Sequence, residues 1–448
     1  MAEQMKPSGI DWIGEIPCSW NIKRIKYLAQ LKGRIGWQGL TSDEYTDAGP
    51  FLITGVDFSD GGINWKSCVH ITEERWAEAP EIHIKNGDLL ITKDGTVGKV
   101  AIVENLQEKA SLNSGVLLIK TSDEYSKKFL YWVLLSEEFW TWFRLKNAGN
   151  STIIHLYQND FAEFSYTFPD ITEQNAIADF LDKECAQIDS IAADLEKQID
   201  LLQQYKKSLI TETVTKGLDK SVPMKDSGVE WIGKIPAHWD FKRLKFMLEN
   251  SSDSMKVGPF GSALSGSDFT DEGKWVYNQR VVLDNNFSEN TTFVSEEKFQ
   301  EMRSFAVYPG DILITTRGTI GKVAIVPEGA NEGILHPCII KFRVDKEMII
   351  PELLQLIFNE SDFVKDQITL MSNATTIEVI YSYSLKDILL PVIPADEQEK
   401  IYGYLSKKCI AIDGIIAEKQ KALATITNHK KSLIYEYVTG KKRVKEVQ

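Results

Sequence analysis

The residues that come closest to a chemical motif are a short run of glycines with a threonine and a lysine. Residues 95–99 read Gly-Thr-Val-Gly-Lys, and residues 318–322 read Gly-Thr-Ile-Gly-Lys. A phosphate-binding loop of this type needs a glycine at position 93 and a serine or threonine after the lysine. Lys93 and Val100 occupy these two positions. We therefore exclude nucleotide binding by this segment.

Motifs for other catalytic chemistry are missing from the sequence. The active-site loop and cofactor turn of amino-methylating enzymes would need a Pro-Pro-aromatic run and a Phe-x-Gly-x-Gly run, and neither occurs. The Pro169-Asp170 pair lacks the acid-x-Lys partner of a metal-dependent nuclease. The six histidines and five cysteines have no metal-ligand or disulfide spacing, and no Gly-x-Ser-x-Gly elbow is present. We expect no catalytic site and no metal.

The sequence is internally duplicated, with three segments returning in the same order half a chain length later. Residues 5–28 match residues 224–247 at 13 of 24 positions, and residues 87–103 match residues 310–326 at 13 of 17. A Glu-Gln pair at 173–174, followed later by Lys-Lys-Ser-Leu-Ile, returns at 397–398 with the same sequel. Two copies are too few for a stacked solenoid, which needs at least three. The chain is therefore predicted to be a pseudo-dimer.

Each copy ends in a long amphipathic stretch. In the first copy five apolar residues stand seven apart, and four others were placed on the same side: Leu181, Ile188, Leu195, Leu202 and Leu209, then Ile177, Ile191, Ile199 and Tyr205. The second copy has a similar, less strict period between Ile401 and Leu433. This spacing predicts a coiled-coil seam on two helices of ~40 residues, or ~60 Å each. Each helix needs a partner, and the other copy is the best candidate.

Between these helices lie segments of short Val, Ile and Phe runs broken by Gly, Asn and Asp, which predict α+β domains. Residues 89–91 and 97–103 are predicted to form a β-hairpin around the turn at 93–96. Gly217 is predicted to cap the first long helix. The predicted division is a segment 1–28, a domain 29–170, a helix 171–217, a linker with the repeated segment 218–247, a domain 248–393, a helix 394–440 and a basic tail 441–448.

Composition and charge limit the class of protein. A chain of 448 residues with 43% hydrophobic residues can bury several cores. It has no leader-like start and no run of ~18 apolar residues, so we expect a cytoplasmic protein. The net charge of −13 argues against nucleic acid, yet residues 173–200 hold eight acids against two lysines, and residues 206–225 hold five lysines against two acids. The distribution therefore leaves a nucleic-acid partner open.

Together these segments resemble the DNA-specificity subunit of type I restriction-modification systems. The resemblance rests on the repeated Trp-Ile-Gly-x-Ile-Pro run at 12–17 and 231–236, the Gly-Asp-x-Leu-Ile-Thr strand with its glycine turn, and the Pro and Glu-Gln residues that open each long helix. It implies two target-recognition domains that each read one half of a split DNA site. It also implies that the two helices pack antiparallel as a spacer.

The resemblance further implies a subunit with no catalysis and no cofactor of its own. Two methylase subunits would bring S-adenosylmethionine, and two restriction and translocase subunits would use ATP and magnesium in the full complex. The acidic helix face between residues 179 and 200 would then be a docking surface for a partner rather than for DNA. The double-stranded DNA would lie against the two recognition domains.

Differences between the copies indicate which residues read DNA. The hairpin strands repeat, whereas the tip has Lys93-Asp94 in one copy and Thr316-Arg317 in the other. Arg317 suits guanine O6 and N7, Asp94 suits cytosine N4, and Lys99 and Lys322 suit phosphates. The full set of predicted DNA contacts is Arg34, Trp37, Gln38, Lys93, Asp94, Thr96, Lys99, Lys256, Phe260, Ser262, Asn278, Arg280, Thr316, Arg317, Thr319 and Lys322.

Structural alternatives remain for these residues and for the function. Asp94 could cap its own turn, Arg317 could be a solvated tip residue, and Trp37 and Phe260 could be packed aromatics. The alternative function is a non-catalytic coiled-coil scaffold that presents two protein-binding domains, which the negative net charge would suit.

Overall fold

The structure, a computed structural model, describes residues 4–34, 40–122, 125–148, 154–229, 232–260, 263–372 and 379–444. The chain forms two compact units. Unit 1 comprises Met1–Glu196 and Lys421–Gln448, and unit 2 comprises Lys197–Gln420. The predicted linear series of domains differs from this division, because the end of the C-terminal helix belongs with the N-terminal half. In the described ranges no helix is long and apolar enough to cross a membrane.

Unit 1 is an α+β unit built around a four-stranded sheet of order β10-β9-β12-β4 and a three-stranded sheet of order β11-β5-β8. Its strands are β1 (Met5–Pro7), β2 (Glu15–Pro17), β3 (Asn21–Arg24), β4 (Ala29–Gly33), β5 (Thr46–Ile53), β6 (Phe58–Ser59), β7 (Gly62–Ile63), β8 (Val69–His70), β9 (Leu89–Thr92), β10 (Val100–Ile102), β11 (Ala110–Leu112), β12 (Val116–Thr121) and β13 (Ser165–Phe168). Its helices are α1 (Glu73–Ala77), α2 (Lys127–Leu135), α3 (Glu137–Lys146) and α4 (Gln158–Ala162). The long helix α5 (Ile171–Lys216) follows.

Unit 2 repeats the four-stranded sheet as β17-β25-β22-β23 and adds a five-stranded sheet, β18-β20-β19-β24-β21. Its strands are β14 (Met224–Asp226), β15 (Lys234–Pro236), β16 (Asp240–Arg243), β17 (Met255–Val257), β18 (Phe269–Thr270), β19 (Lys274–Tyr277), β20 (Phe293–Val294), β21 (Ala306–Val307), β22 (Ile312–Thr315), β23 (Val323–Ile325), β24 (Gly333–Leu335), β25 (Ile339–Phe342) and β26 (Leu389–Val392). Its helices are α6 (Gln279–Leu283), α7 (Glu296–Glu301), α8 (Pro351–Glu360), α9 (Asp362–Ser372) and α10 (Ser382–Lys386), followed by the long helix α11 (Ala395–Val438). The predicted α+β class with two similar units joined by two long helices is confirmed.

The described residues of the repeated opening segment form the same strand pair in the two units. β1 pairs with β2, and β14 pairs with β15, in the same antiparallel register. Trp20 and Trp239 follow these hairpins and are fully buried. Their indole N–H groups donate to Glu173 (2.8 Å) and Glu397 (3.0 Å), the acids that open the long helices. The repeated Glu is thus needed to satisfy a buried indole.

The glutamine that follows has an equally structural reason. The side-chain amide of Gln174 donates to the Pro169 carbonyl (2.9 Å) and accepts from the Ser126 backbone (3.1 Å). Gln398 donates to Ile393 (2.8 Å) and accepts from Ile350 (2.9 Å) in the same manner. Both glutamines are buried. The repeated Glu-Gln pair therefore fastens the globular part of each unit to the start of its long helix.

The long helices pack antiparallel within each unit. In unit 1, Phe180 stacks on Tyr437 and Asp189 pairs with Lys430 at 2.6 Å. In unit 2, Gln198 contacts Lys419 and Lys206 pairs with Asp413 at 2.8 Å. As the residue number rises along α5, the number of its partner on α11 falls, so the two helices run in opposite directions. Helix α5 ends at Lys216, one residue before its predicted end at Gly217. The φ of 73° at Gly217 confirms the predicted cap.

One line of the predicted seam is correct, and the second set is correct in part, because Ile177 is buried and Ile199 is half-buried. The five residues seven apart, from Leu181 to Leu209, are buried or half-buried. The second line lies four residues after each of the first four of them, at Cys185, Ala192, Ile199 and Lys206. Ile191 and Tyr205, predicted for the seam, are half exposed. The sequence hid this line because two of its positions hold alanine and lysine, and Lys206 buries only its stem while its ammonium group is paired.

Candidate nucleic-acid interface

Both units present a β-hairpin whose turn is held by one threonine. β9 pairs with β10 (Ile91 opposite Val100), and β22 pairs with β23 (Ile314 opposite Val323). The predicted hairpin is confirmed, with a longer connection of residues 93–99. The Thr92 hydroxyl accepts from the Lys99 backbone at 2.9 Å, and Thr315 accepts from Lys322 at 3.0 Å. The two turns are therefore held by the same hydrogen bond between a threonine hydroxyl and a backbone N–H group.

The two glycines of each turn are required by backbone geometry. Gly95 and Gly98 have φ of 70° and 84°, and Gly318 and Gly321 have φ of 67° and 81°. Residues with a Cβ rarely adopt these angles. The Gly-Thr-x-Gly-Lys run is thus explained as a turn that projects its tip residues outward, and the phosphate-loop interpretation has no structural support.

The tip side chains differ in exposure and in their partners. In unit 1, Thr96 and Lys99 are exposed, whereas Lys93 and Asp94 are half-buried. One carboxylate oxygen of Asp94 lies 2.6 Å from Nδ1 of His155. In unit 2, Arg317 and Thr319 are exposed. An acidic acceptor therefore marks the first tip, and a guanidinium donor marks the second.

Each tip contacts the loop that follows the equivalent strand of the second sheet. In unit 1 the Thr96 hydroxyl donates to the Gly55 carbonyl at 3.3 Å, after β5. In unit 2 the Gln279 amide donates to the Thr319 carbonyl at 3.5 Å, after β19. Asn278 caps α6 by accepting from the Arg280 backbone (3.0 Å), and the Arg280 side chain is exposed, with its Nε 3.4 Å from Asp284. The structure thus brings Asn278 and Arg280 beside the second tip.

Exposed tyrosines next to the tips were missed by the sequence interpretation. The backbone of Leu156 donates to the Lys93 carbonyl (2.9 Å), and that of Ile380 donates to the Thr316 carbonyl (3.0 Å). Tyr157 and Tyr381 follow directly, and both are largely exposed. Each stands sixteen residues before the repeated Glu-Gln pair, and this equal offset is the signal that would have found them.

Three of the predicted DNA contacts form hydrogen bonds within the protein instead. Arg34 is only 4% exposed, and its guanidinium donates to the Leu112 carbonyl (2.8 Å) and to the Ser111 hydroxyl (3.0 Å). Thr316 is buried and its hydroxyl donates to the Cys338 carbonyl at 2.9 Å. The Lys322 ammonium donates to the Asn359 carbonyl at 2.9 Å, at the end of α8. Their predicted role in DNA contact is corrected to a structural one.

Two of the remaining predicted contacts lie in the described part of the chain. Lys256 lies over the Phe305 ring at 5.1 Å and is half-buried. Phe260 is exposed, which rules out the packed-aromatic alternative for this residue. Trp37, Gln38 and Ser262 lie outside the described residues. In the described part of the chain no group of three His, Cys, Asp or Glu residues could hold a metal ion.

Comparison with known proteins connects this arrangement to one family. The specificity subunit of the type I restriction enzyme MjaVIII from Methanocaldococcus jannaschii is 25% identical over 443 residues, which cover 96% of this chain and 95% of that protein. The EcoBI specificity subunit from Escherichia coli is 25% identical over 364 residues, which cover 79% of this chain and 73% of that protein.

A solved structure shares the fold. A chain from a study of complex assembly and conformational transition of the type I R-M system aligns with a TM-score of 0.70 at 14% identity, covering 95% of this chain and 99% of that chain. The model of the type I restriction-modification DNA specificity domain matches residues 17–201 and 256–425, which include both hairpins. The chain therefore belongs to the type I restriction-modification DNA-specificity family.

Proposed function

We propose that each unit reads one half of a bipartite, asymmetric DNA sequence through its hairpin tip, the adjoining loop and the neighbouring tyrosine. The observation that carries this proposal is that the same hydrogen bonds hold both tips while the projecting side chains differ. A common frame with different exposed donors and acceptors is what two half-sites of different sequence require. The two long helices would keep the gap between the half-sites constant.

The tip chemistry suggests which bases each unit prefers. The Arg317 guanidinium can donate two parallel hydrogen bonds to O6 and N7 of guanine. The Asp94 carboxylate can accept from N4 of cytosine, with His155 fixing its orientation. Lys93, Lys99, Thr96 and Thr319 would bind phosphates or base edges beside them.

The subunit would act without catalysis of its own. Methylase subunits would supply S-adenosylmethionine, and restriction subunits would supply ATP-driven translocation with magnesium, on DNA in the cytoplasm. Of the acids proposed for methylase docking, Asp182 and Asp189 already pair with Lys128 and Lys430 inside unit 1. Asp179 also approaches Lys128, at 3.9 Å. The docking surface would therefore use the exposed acids Asp194 and Glu196.

Reconstitution tests this function. The chain alone, incubated with DNA and labelled S-adenosylmethionine, is expected to transfer no methyl groups, and adding its cognate methylase subunit should give adenine methylation at one split motif. The measurement is methyl incorporation followed by sequencing of the methylated sites. Incorporation by the chain alone, or methylation by the complex without a bipartite motif, would contradict the proposal.

Removing the Arg317 side chain should alter one half of that motif. In the complex of Arg317→Ala with the methylase, we expect discrimination at one guanine to fall by ~1–3 kcal/mol, or about 5- to 150-fold. The other half-site should keep its bases. Arg303→Ala, another exposed arginine of unit 2, is the matched control and should leave the motif unaltered. An unchanged motif in the Arg317 variant, mapped genome-wide, would exclude this contact.

A further inference from the structure

A second repeated surface feature lies outside the hairpin tips, and we name it the basic turn. It comprises residues 23–27 in unit 1 (Lys-Arg-Ile-Lys-Tyr) and residues 242–246 in unit 2 (Lys-Arg-Leu-Lys-Phe). In each basic turn the first two residues end a strand, β3 or β16. The last three residues form a short 3-10 helix, Ile25–Tyr27 or Leu244–Phe246. In both, the central aliphatic residue is fully buried while the flanking charges are exposed.

Each basic turn is organised by a single acid. Glu163 receives Arg24 at 2.9 Å and Lys26 at 2.5 Å. In unit 2, Asp387 receives Arg243 at 3.0 Å and Lys245 at 3.3 Å. The lysines, foremost, and the arginines hold the pKa of both carboxyl groups below its ordinary value. With three cations and one acid, each turn keeps a net charge of +2 in a chain whose total is −13.

An exposed aromatic ring completes the feature in both units. Tyr27 is 70% exposed and Phe246 is 63% exposed. The ammonium groups of Lys26 and Lys245 lie 5.2 Å and 5.3 Å from the centroids of these rings. Tyrosine and phenylalanine share the aromatic ring but not the hydroxyl group, so the ring is the part of the side chain that is common to both units. A cation–π contact of this kind fixes the position of an otherwise flexible ammonium group.

A short helix connects the neighbourhood of each hairpin tip to the acid of its basic turn. Helix α4 begins after Tyr157 and ends before Glu163, and α10 begins after Tyr381 and ends before Asp387. The six residue steps from each tyrosine to its acid correspond to ~9 Å at the helical rise. Along one DNA strand the phosphates recur every ~3.4 Å of axis. A duplex read by the tip would therefore present backbone phosphates to the basic turn within about three base pairs.

We propose that the two basic turns bind the phosphodiester backbone of duplex DNA beside each half-site. This inference rests on the proposed function. A base-reading surface should differ between the two half-sites, as the tips do, whereas the basic turns repeat their charges. The phosphate backbone is the component of DNA that is the same at both half-sites. Positive charge, exposure and proximity to the tip favour it over a protein partner as the ligand.

The test uses the complex of the full chain with its methylase, with Arg24→Gln/Lys26→Gln in unit 1 and Arg243→Gln/Lys245→Gln in unit 2. Affinity is measured against salt for a duplex carrying the methylated motif and for a scrambled duplex. Each removed phosphate contact should lower the magnitude of the log–log salt slope by about 1. Both duplexes should lose affinity by the same factor, and the methylated motif should stay the same.

Lys220→Gln/Lys400→Gln is the matched control, because it removes the same charge from two exposed lysines that pair with helix acids. It should leave the slope unchanged. An unchanged slope in both basic-turn variants, an altered motif, or weaker methylase binding at a constant DNA slope would each overturn the inference and leave the proposed function standing. Wild-type complex that bound neither duplex would overturn both.

Discussion

Replacing Glu138 with glutamine is expected to stabilise unit 1 by about 3–5 kcal/mol at pH 8. Glu138 is fully buried between α3 and β13. Its Oε1 accepts from the Thr167 backbone at 3.0 Å, and its Oε2 lies 3.3 Å from the Thr167 hydroxyl. The Thr167 hydroxyl donates its own proton to the Val438 carbonyl. The geometry therefore suits a protonated carboxylic acid that donates to Thr167.

The direction in which the pKa of Glu138 is shifted determines how its contribution to stability depends on pH. Burial raises the pKa of Glu138 from 4.5 to about 8, against the opposing effect of its hydrogen bonds with Thr167. The folded state holds the Glu138 proton more tightly than the unfolded state, so the contribution of Glu138 to stability is greatest below pH 4.5 and falls as the pH rises toward 8. Glutamine preserves both hydrogen bonds without titrating. The stability gain should therefore be small near pH 4.5 and grow up to pH 8.

Chemical unfolding of both proteins at several pH values measures this difference. Glu137→Gln is the matched control, because Glu137 is a neighbouring surface acid paired with Arg144. Such exposed pairs contribute ~1 kcal/mol or less, so this variant should follow the wild type at every pH. A glutamine variant at position 138 that is no more stable than wild type at pH 8 would show that the carboxyl group is not buried in its neutral form.

The sequence predicted the elements whose signals are local. Heptad spacing indicated both long helices to within one or two residues of their ends, because 3.6-residue periodicity persists through ~40 residues. The hairpin was predicted because an apolar strand, a glycine turn and a second apolar strand are adjacent. The duplication then supplied the pairing of equivalent elements, since two copies of one frame must bury the same residues in the same way.

Long-range packing was less accessible to sequence interpretation. Arg34 is of a residue type that is usually found at the surface. Its burial depends on a hydrogen bond to the Leu112 carbonyl, which is far away in sequence. Lys206 lies in the helix seam only because Asp413 and Glu360 approach its ammonium group. The grouping of residues 421–448 with the first unit similarly depends on contacts such as that of the Tyr435 hydroxyl with the Trp12 carbonyl at 2.7 Å.

The candidate site was predicted in part. Thr96, Lys99, Arg317 and Thr319 project from the tips as expected, since a turn with two left-handed glycines must point its other residues outward. Lys322 occupies the same repeated position as Lys99, but its ammonium group donates to the Asn359 carbonyl at the end of α8, whereas that of Lys99 donates to the Gly55 carbonyl at 3.4 Å. Tyr157 and Tyr381 follow weakly patterned loops, so their position beside the tips emerged only with the backbone bonds from Leu156 and Ile380.

A chain that carries the first recognition domain twice should recognise the first half-site at both ends of its motif. Residues 248–392 would be replaced by a copy of residues 29–168. The graft is compatible with the frame because β13 pairs with β3 in the same register as β26 pairs with β16, with Ser165 opposite Arg24 and Leu389 opposite Arg243. The reciprocal chain, carrying residues 248–392 in both places, should recognise the second half-site twice. Assembly of each chimera with the methylase verifies that it is folded.

The most direct measurement is genome-wide mapping of methylated adenines in cells that express each chimera with the methylase. If each unit reads one half of a split site, the wild-type motif should disappear and be replaced by one motif built from a single half-site, different for the two chimeras. An assembled chimera that still methylated the wild-type asymmetric motif would contradict the assignment of one half-site to each unit.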